Sequence, residues 1–589
     1  MCGIFAYIGT NNASQNILQG LKRLEYRGYD SWGVAVIAED KIHVVKKIGE
    51  IGKLDEIEHL PNSYIGIGHT RWATHGGVSN LNAHPHAASD NSFVLAQNGI
   101  VENYQELKKM LASKGYEFQS ETDTEVIVRL VEEYKKTETD LREAARKAFL
   151  DLKGRNTIIV LSSQEDRIIA IRNGSPLVVG IGEGETFFAS DTLSFANKTE
   201  NVVFIENYQM VETRNGELSL FDVKNNEKLE IKISKLDHDD VTIDKEGFDH
   251  FMMKEIVEQQ HTIKEATQYT EEELKPLVDA IKESKRVFTV GAGTASFAAG
   301  EIAYFLRKYA AIFAVDLKSY EMGSFKDLFE KNDLIIAISQ SGETTDTIEA
   351  LEYAKEKGTK VASLVNMIGS TITRMSDFKY LSRSGPEICV ASTKAFTAQL
   401  AWGLNLAMTV AGRYSDSKKL IATLAENLGE YFGDELNGRI KALVSTIKEK
   451  EHFFVLGKGQ NFSISLEGAL KIKEISYKHF EGFAAGELKH GVIALIEDAT
   501  PVFVIVSNDE DRADMLTAAA EVKARGAYVI GIAKEDNELF DTFLQTPDAA
   551  EADPIANVIP FQLISYFLGV ELGNSPDKPR NLAKSVTVK

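Results

Sequence analysis

Cysteine is nearly missing from this chain: Cys2 and Cys389 are the only two among 589 residues. Two thiols cannot build a disulfide framework or a four-cysteine zinc site. Clustered positive charge is missing too. No run of five or more Lys/Arg occurs, and the net charge is −21. Such a field repels nucleic acid and anionic membranes, so partners of those classes are not expected. No stretch approaches 18 uninterrupted apolar residues, and the opening MCGIFAYIG has no basic segment ahead of it. A membrane span and a signal peptide are therefore not expected, which leaves the cytoplasm as the default location. The nucleotide fingerprints are incomplete as well. G-x-x-x-x-G-K-[ST] does not occur, and the turn Gly291-Ala-Gly293 lacks the third glycine of a dinucleotide loop because position 296 is Ser296.

What is present is an ordinary globular composition, 43% hydrophobic and 26% charged. At roughly 100–200 residues per domain, the length implies about three or four units. Up to about residue 240, short β-rich runs (YIGIGHT, SFVLAQNGI, NTIIVLSS, RIIAIRNG, TFFASD) alternate with turn signals. Helical patterns at 14–25, 103–114 and 123–135 interrupt them. That texture predicts an α+β domain with mainly antiparallel sheets over 1–238. The stretch 235–250 is polar and charged and contains the expected linker, 239–250. From about 280 onward, apolar runs such as RVFTVGAG, DLIIAISQSG and KVASLVN alternate with long helical patterns, the sign of βαβ units on a parallel sheet. This half also repeats. Phe288–Gly293 lines up with Phe454–Gly459, and LIIAISQS lines up with VFVIVSND. Two tandem α/β copies are expected, over 251–425 and 426–575, followed by a tail, 576–589.

The copies differ at their strand ends. The first carries Ser339-Gln340-Ser341-Gly-Glu-Thr344, whose hydroxyls and amide beside a helix N-terminus suit a phosphate. The second carries Ser507-Asn-Asp-Glu-Asp-Arg512, whose acidic groups would repel one. Val390-Ala-Ser392-Thr-Lys394 opens another helix and adds hydroxyls, with ordinary capping as the alternative. Glu467, Lys471 and Glu474 share one face of a largely apolar helix, either as the lining of a cleft or as a solvated salt-bridge face. His490, flanked by glycine, is a candidate acid or base or else a structural histidine. The tail DKPRNLAKSVTVK ends in an apolar, β-prone run and is expected to be docked.

At the other end, Cys2 becomes the first residue once Met1 is removed, and its own α-amino group, with a pKa of about 7.7–8.0, is then a base on the nucleophile itself. A small apolar residue opening a strand is the alternative. Arg71, in GHTRWATHG, suits bidentate capture of a carboxylate. Asn98-Gly99 can supply donors to an oxyanion. Asp123 can hold an ammonium group, cap a helix, or both.

MCGI, LEYRGYD (24–30), HTRWATHG, NGI and ETDTE, in that order, resemble the N-terminal-nucleophile glutamine amidotransferases. The resemblance implies that Cys2 is the nucleophile and that Asn98 and Gly99 form the oxyanion hole. It further implies glutamine binding by Arg71, Trp72, His75 and Asp123. SQSGET, VASTKAF, EGALKIKEISY, AAGELKHG and PRNLAKSVTV resemble the isomerase half of the glutamine–fructose-6-phosphate aminotransferase family. Together the two resemblances cover nearly the whole chain. They imply an α+β N-terminal-nucleophile glutaminase domain followed by two α/β sugar-isomerase (SIS) domains. They imply that the sugar phosphate lies among Gly293, Thr294, Ser339, Gln340, Ser341, Thr344, Val390, Ser392 and Ala583. Glu474 would move a proton between C1 and C2, His490 would assist ring opening, Lys584 would form a Schiff base, and Glu467 and Lys471 would complete the pocket. They imply a homodimer sharing its sugar sites, an ammonia tunnel walled by Trp72 and the tail, the substrates L-glutamine and fructose 6-phosphate, and no cofactor or metal. The family commonly has Cys-Gly-Thr-Ser in the first turn, whereas this chain has Ala292-Gly-Thr-Ala295. That departure leaves open a different ketose or sugar phosphate as acceptor. A sugar-phosphate-sensing binding protein is the reading outside enzymology.

Overall fold

The structure is a computed structural model that describes residues 2–52, 60–214, 216–236 and 244–586. The chain divides into two compact units, Met1–Thr242 with Ser585–Lys589, and Ile243–Lys584. Residues 237–243, which include the first part of the expected linker, 239–250, and the last three residues of the tail lie outside the described residues.

The first unit holds an eight-stranded and a seven-stranded sheet in which neighbouring strands run antiparallel, as the alternating runs predicted. The strand Gly3–Ile8 sits between Glu185–Ala189 and Ile65–Arg71. Period-two alternation divides its side chains between two cores. Ile4 and Ala6 join Ile65, Ile67, Val94, Ala96, Ile159 and Leu161 in the core between the sheets. Phe5 and Tyr7 pack outward on Ile17, Leu18 and Leu21 of the helix Ala13–Leu24. On the far side, Leu95 and Ile158 meet Val126, Ile127 and Leu130 of the helix Asp123–Lys135. The three expected helices are found at Ala13–Leu24, Tyr104–Ser113 and Asp123–Lys135, and a fourth, Leu141–Leu150, joins them.

In the second unit the repeat is physical. Strands Ala314–Lys318, Arg286–Gly291, Asp333–Ser339, Lys360–Val365 and Phe378–Leu381 form one five-stranded parallel sheet, in that order. His479–Ala484, His452–Gly457, Pro501–Val506, Tyr528–Ala533 and Thr542–Gln545 form a second sheet, also parallel. Both copies make the same tight turn out of their second strand. A Cβ on Gly291 would stand 2.5 Å from Ala295 O, and one on Gly457 would stand 2.0 Å from Asn461 O. The helix Tyr414–Tyr431 runs through the expected 425/426 boundary, and Asp434–Ile447 leads into the second copy.

The tail is tied down through Asp577. Its two carboxylate oxygens accept the Phe251 N–H (3.0 Å) and the Met252 N–H (2.8 Å), capping the helix Phe251–Glu265 from a distance. The N-cap residue of that helix, His250, makes no side-chain capping bond. Asp577→Ala should therefore lower stability by about 1–2 kcal/mol, the range of a lost N-cap. Thermal or denaturant unfolding reads this, and an unchanged midpoint would contradict the capping role.

Candidate active sites

Cys2 is half-buried immediately ahead of the strand Gly3–Ile8. The Trp72 N–H donates to its Sγ at 3.4 Å, and the Sγ lies 3.6 Å from Trp72 O. Burial pushes the thiol pKa up, so a base must deprotonate it for attack. The Asn98 side-chain amide donates to the Cys2 carbonyl at 3.2 Å. Gly99 follows with φ +133°, and a Cβ there would stand 2.2 Å from Arg155 O, so only glycine fits.

Arg71 ends the strand Ile65–Arg71 and is buried. It donates to the carbonyls of His75 (2.5 Å), Gly76 (3.1 Å) and Gly77 (3.1 Å), which shapes the following loop. His75 packs edge-on against Tyr104, with ring centroids 4.9 Å apart. Asp123 is not the helix N-cap: Thr122 takes that place by accepting the Glu125 N–H. Asp123 Oδ2 instead accepts the Val101 N–H at 2.8 Å. Burial pushes its carboxyl up, against the pull of that bond, His75 and Arg71. A buried carboxyl in that state gains from the arrival of an ammonium group. Cys2, Trp72 and Asn98 are thus directly bonded, and Arg71, His75 and Asp123 are gathered near them.

In the second unit, Glu467, Lys471 and Glu474 line one face of the helix Phe462–Ser476. This is not a solvated face: Glu467 is 0% and Lys471 1% exposed. Lys471 Nζ lies 2.6 Å from Glu474 Oε2 and 3.5 Å from Glu467 Oε1. Thr294 Oγ1, from the first copy, donates to Glu467 Oε1 at 3.2 Å. Burial, with the nearby Glu474, pushes the Glu467 carboxyl up to about 8 despite Lys471. Although burial opposes it, the two glutamates raise Lys471 above the usual lysine value. One carboxyl that holds its proton near neutrality beside one that is ion-paired is an arrangement suited to separate acid and base roles.

A second cluster adjoins this one. Lys584 pairs with Glu387, and Ser392 Oγ donates to the same carboxylate oxygen at 2.9 Å. The Glu387 carboxylate also accepts the N–H groups of Thr393 (2.8 Å) and Ala395 (3.0 Å), which makes it the cap of the helix Lys394–Val410. Burial opposes its ionisation, but Lys584 and these donors win and hold its carboxyl below the ordinary range. Glu255, behind it, accepts the Ile388 (2.5 Å) and Cys389 (3.2 Å) N–H groups, and burial with the Glu387 charge pushes it up to about 8. The charge on Glu387 is also felt at Lys471, which links the two clusters. Val390 N–H donates to Asp577 O at 3.1 Å, holding the tail that carries Ala583 and Lys584.

The loop Ser339–Thr344 is shaped by its own hydroxyls. Ser339 Oγ accepts the Gly342 N–H (3.0 Å) and lies 3.4 Å from Thr344 Oγ1, while Ser341 Oγ accepts the Glu343 N–H (3.2 Å). Gln340 is half-buried and its carbonyl accepts the Asn366 N–H at 3.0 Å. The helices that begin at Thr294 and Thr345 have no side-chain N-cap bond, so their first N–H groups suit an anion. The space above Gly293 is open to 4 Å, whereas at the matching Gly459 the Asp511 carboxylate would stand 2.2 Å from a Cβ. His490 is the site candidate left apart. It is exposed at the end of Ala485–His490 and makes no hydrogen bond to Glu467, Lys471, Glu474 or Lys584.

Three buried groups escaped the sequence reading: His69, Glu255 and Glu387. His69 had a usable signal, since period two puts it on the same strand face as Arg71. Glu255 and Glu387 lie in no motif.

An antiparallel sandwich that presents an N-terminal cysteine, followed by twinned parallel-sheet units, defines a glutamine amidotransferase domain fused to a double sugar isomerase. Residues 69–197 match the glutamine amidotransferase domain family, and 280–409 and 446–570 each match the SIS domain family. The glutamine–fructose-6-phosphate aminotransferase (isomerizing) of Thermococcus kodakarensis is 41% identical over 611 residues, and those of Chlorobaculum tepidum and Aquifex aeolicus are 40% and 39% identical, each pair covered along 100% of both chains. A solved C-terminal domain of glucosamine-fructose-6-phosphate aminotransferase from Francisella tularensis matches at TM-score 0.51 and 31% identity, over 57% of this chain and 100% of that one. This chain belongs to the glutamine–fructose-6-phosphate aminotransferase (isomerizing) family.

The raised Glu467 has a measurable consequence. Its folded value of about 8 exceeds the ordinary 4.5, so the native state keeps a proton that the unfolded chain releases. Stability from this group is then lost as pH rises between those two values. Glu467→Gln cannot ionise, so its melting temperature should gain on the parent from about pH 5 to about pH 9. A difference that does not change with pH would contradict the raised carboxyl.

Proposed function

We propose that the chain transfers the amide nitrogen of L-glutamine to fructose 6-phosphate and isomerises the product to glucosamine 6-phosphate, releasing glutamate. Once Met1 is removed, Cys2, with its own α-amine as base, attacks the amide carbon. The Asn98 amide and Gly99 N–H receive the oxyanion, Arg71 holds the substrate carboxylate, and Asp123 holds its ammonium group. Ammonia leaves, and water hydrolyses the thioester to glutamate.

At the second site, Ser339, Gln340, Ser341, Thr344, Gly293 and Thr294 hold the phosphate. The Lys584 amine adds to the C2 carbonyl of the opened ketose and water leaves, giving an imine. Ammonia displaces Lys584. Glu474 then takes a proton from C1 and returns one to C2, which yields the 2-amino aldose. Acyl transfer, imine exchange and proton shuttling call on no metal or organic cofactor. A homodimer in which His490 of one copy completes the sugar site of the other belongs to the same proposal, since His490 stands apart from the cluster within one chain. The acidic charge argues against nucleic-acid and anionic-membrane partners, and a cytoplasmic location belongs to the same proposal.

The observation that carries the reading is the pairing of Lys584 with Glu387 beside the buried Lys471 and its partner Glu474. A binding protein that only senses sugar phosphate has no use for a lysine so held. Cys2→Ala should abolish release of glutamate from glutamine while leaving fructose 6-phosphate isomerisation intact, and Lys584→Met should do the reverse. Loss of both activities in either folded variant would overturn the two-site scheme.

A further inference from the structure

We propose that His69 is a positioning residue that fixes the Asn98 side-chain amide in the one orientation able to donate to the oxyanion. The inference rests on the reading of Cys2 and Asn98 given above. His69 Nε2 lies 3.0 Å from Gln97 O and 3.1 Å from Asn98 Oδ1. A backbone carbonyl can only accept, so Nε2 carries the hydrogen. The Asn98 atom facing it must then be the acceptor, Oδ1. Nδ2 is thereby turned the other way, to the Cys2 carbonyl at 3.2 Å. Of its two N–H groups one is used there, which leaves the second to donate beside the nucleophile. Were the amide flipped, two donors would meet at Nε2 and a carbonyl oxygen would face the Cys2 carbonyl and the developing negative charge.

The ring itself is held from behind. His84 stacks on His69 with centroids 4.2 Å apart. His84 Nδ1 accepts the Gln97 N–H at 3.4 Å, and its Nε2 lies 3.1 Å from Thr124 Oγ1. Thr124 donates to Gln97 Oε1 at 2.5 Å, and Gln97 Nε2 donates to Asn156 Oδ1 at 2.7 Å. Each member of this chain has its donor and acceptor ends assigned by the next. Thr124 belongs to the helix that carries Asp123, so the oxyanion donor and the proposed ammonium site share one support. Burial pushes His69 down to about 3, which keeps it neutral, with a single N–H, over any working pH.

The full-length chain tests this. In His69→Leu, glutamine hydrolysis should lose about 10²–10³-fold in kcat, the effect of one lost oxyanion donor, with KM within about two-fold. Inhibition by glutamate γ-semialdehyde, whose Cys2 adduct carries the same oxyanion, should weaken by a similar factor. Alkylation of Cys2 by iodoacetamide forms no oxyanion and should keep its parental rate. His69→Gln, which offers an N–H at nearly the same reach, should recover kcat to within about ten-fold of the parent. The inference is overturned if KM alone rises, if alkylation slows in proportion, if the semialdehyde binds unchanged, or if His69→Gln is no better than His69→Leu. Cys2→Ala and Asn98→Ala separate the two levels. Activity retained in either removes the reading of the site and this inference with it. Activity lost in both but kept in His69→Leu removes this inference alone.

Discussion

A lysine ammonium with 1% exposure, held between two glutamates, is the constraint around which the second unit is organised. Removing one partner of a buried ion pair strands the other and costs about 3–5 kcal/mol, so such a group persists only where its neighbours are fixed. Here one fixed neighbour, Thr294, comes from the first copy of the repeat, while the lysine and both glutamates come from the second. The charged cluster is therefore braced from both copies of the repeat. It also sorts the lysines. Lys471, ion-paired with Glu474 and raised by both glutamates, stays an ammonium ion. Lys584, on the tail, has one direct carboxylate partner, Glu387. It is the one to which the proposed mechanism gives the nucleophilic role.

The two copies also show how one fold divides its labour. Both leave their second strand through the same glycine turn, and both present a helix to the sheet end. Over Gly293 the space is open, and the helix that follows has no side-chain N-cap bond. Over Gly459 the Asp511 carboxylate stands in the way, and Lys458 binds it at 3.1 Å, with Asp514 as its other partner. The second copy has filled its own anion cradle with its own anions. What it contributes is the helix of titratable groups.

Much of this was legible in the sequence because it depends on local pattern. Alternating apolar residues gave the antiparallel strands, and continuous apolar runs gave the parallel ones. The i, i+4, i+7 spacing of Glu467, Lys471 and Glu474 put them on one face, but whether that face lined a cleft or met solvent was decided only by the burial of Glu467 and Lys471. Glu255 and the ion pair of Glu387 were hidden because the groups they bind, the Ile388–Cys389 backbone and Lys584 respectively, lie over a hundred residues away. Asp123 was ambiguous between capping and binding because only the three-dimensional turn shows Thr122 doing the capping. His490 read as part of the sugar site by motif, yet within one chain it stands exposed and apart.

Reductive trapping tests the central assignment most directly. The full chain is mixed with fructose 6-phosphate, reduced with borohydride, and the modified peptide is identified by mass spectrometry. A covalent hexitol phosphate on Lys584, absent from Lys584→Met, is the result expected. An adduct on Lys471, or none anywhere under conditions where the sugar is isomerised, would contradict the division of roles between the two buried lysines.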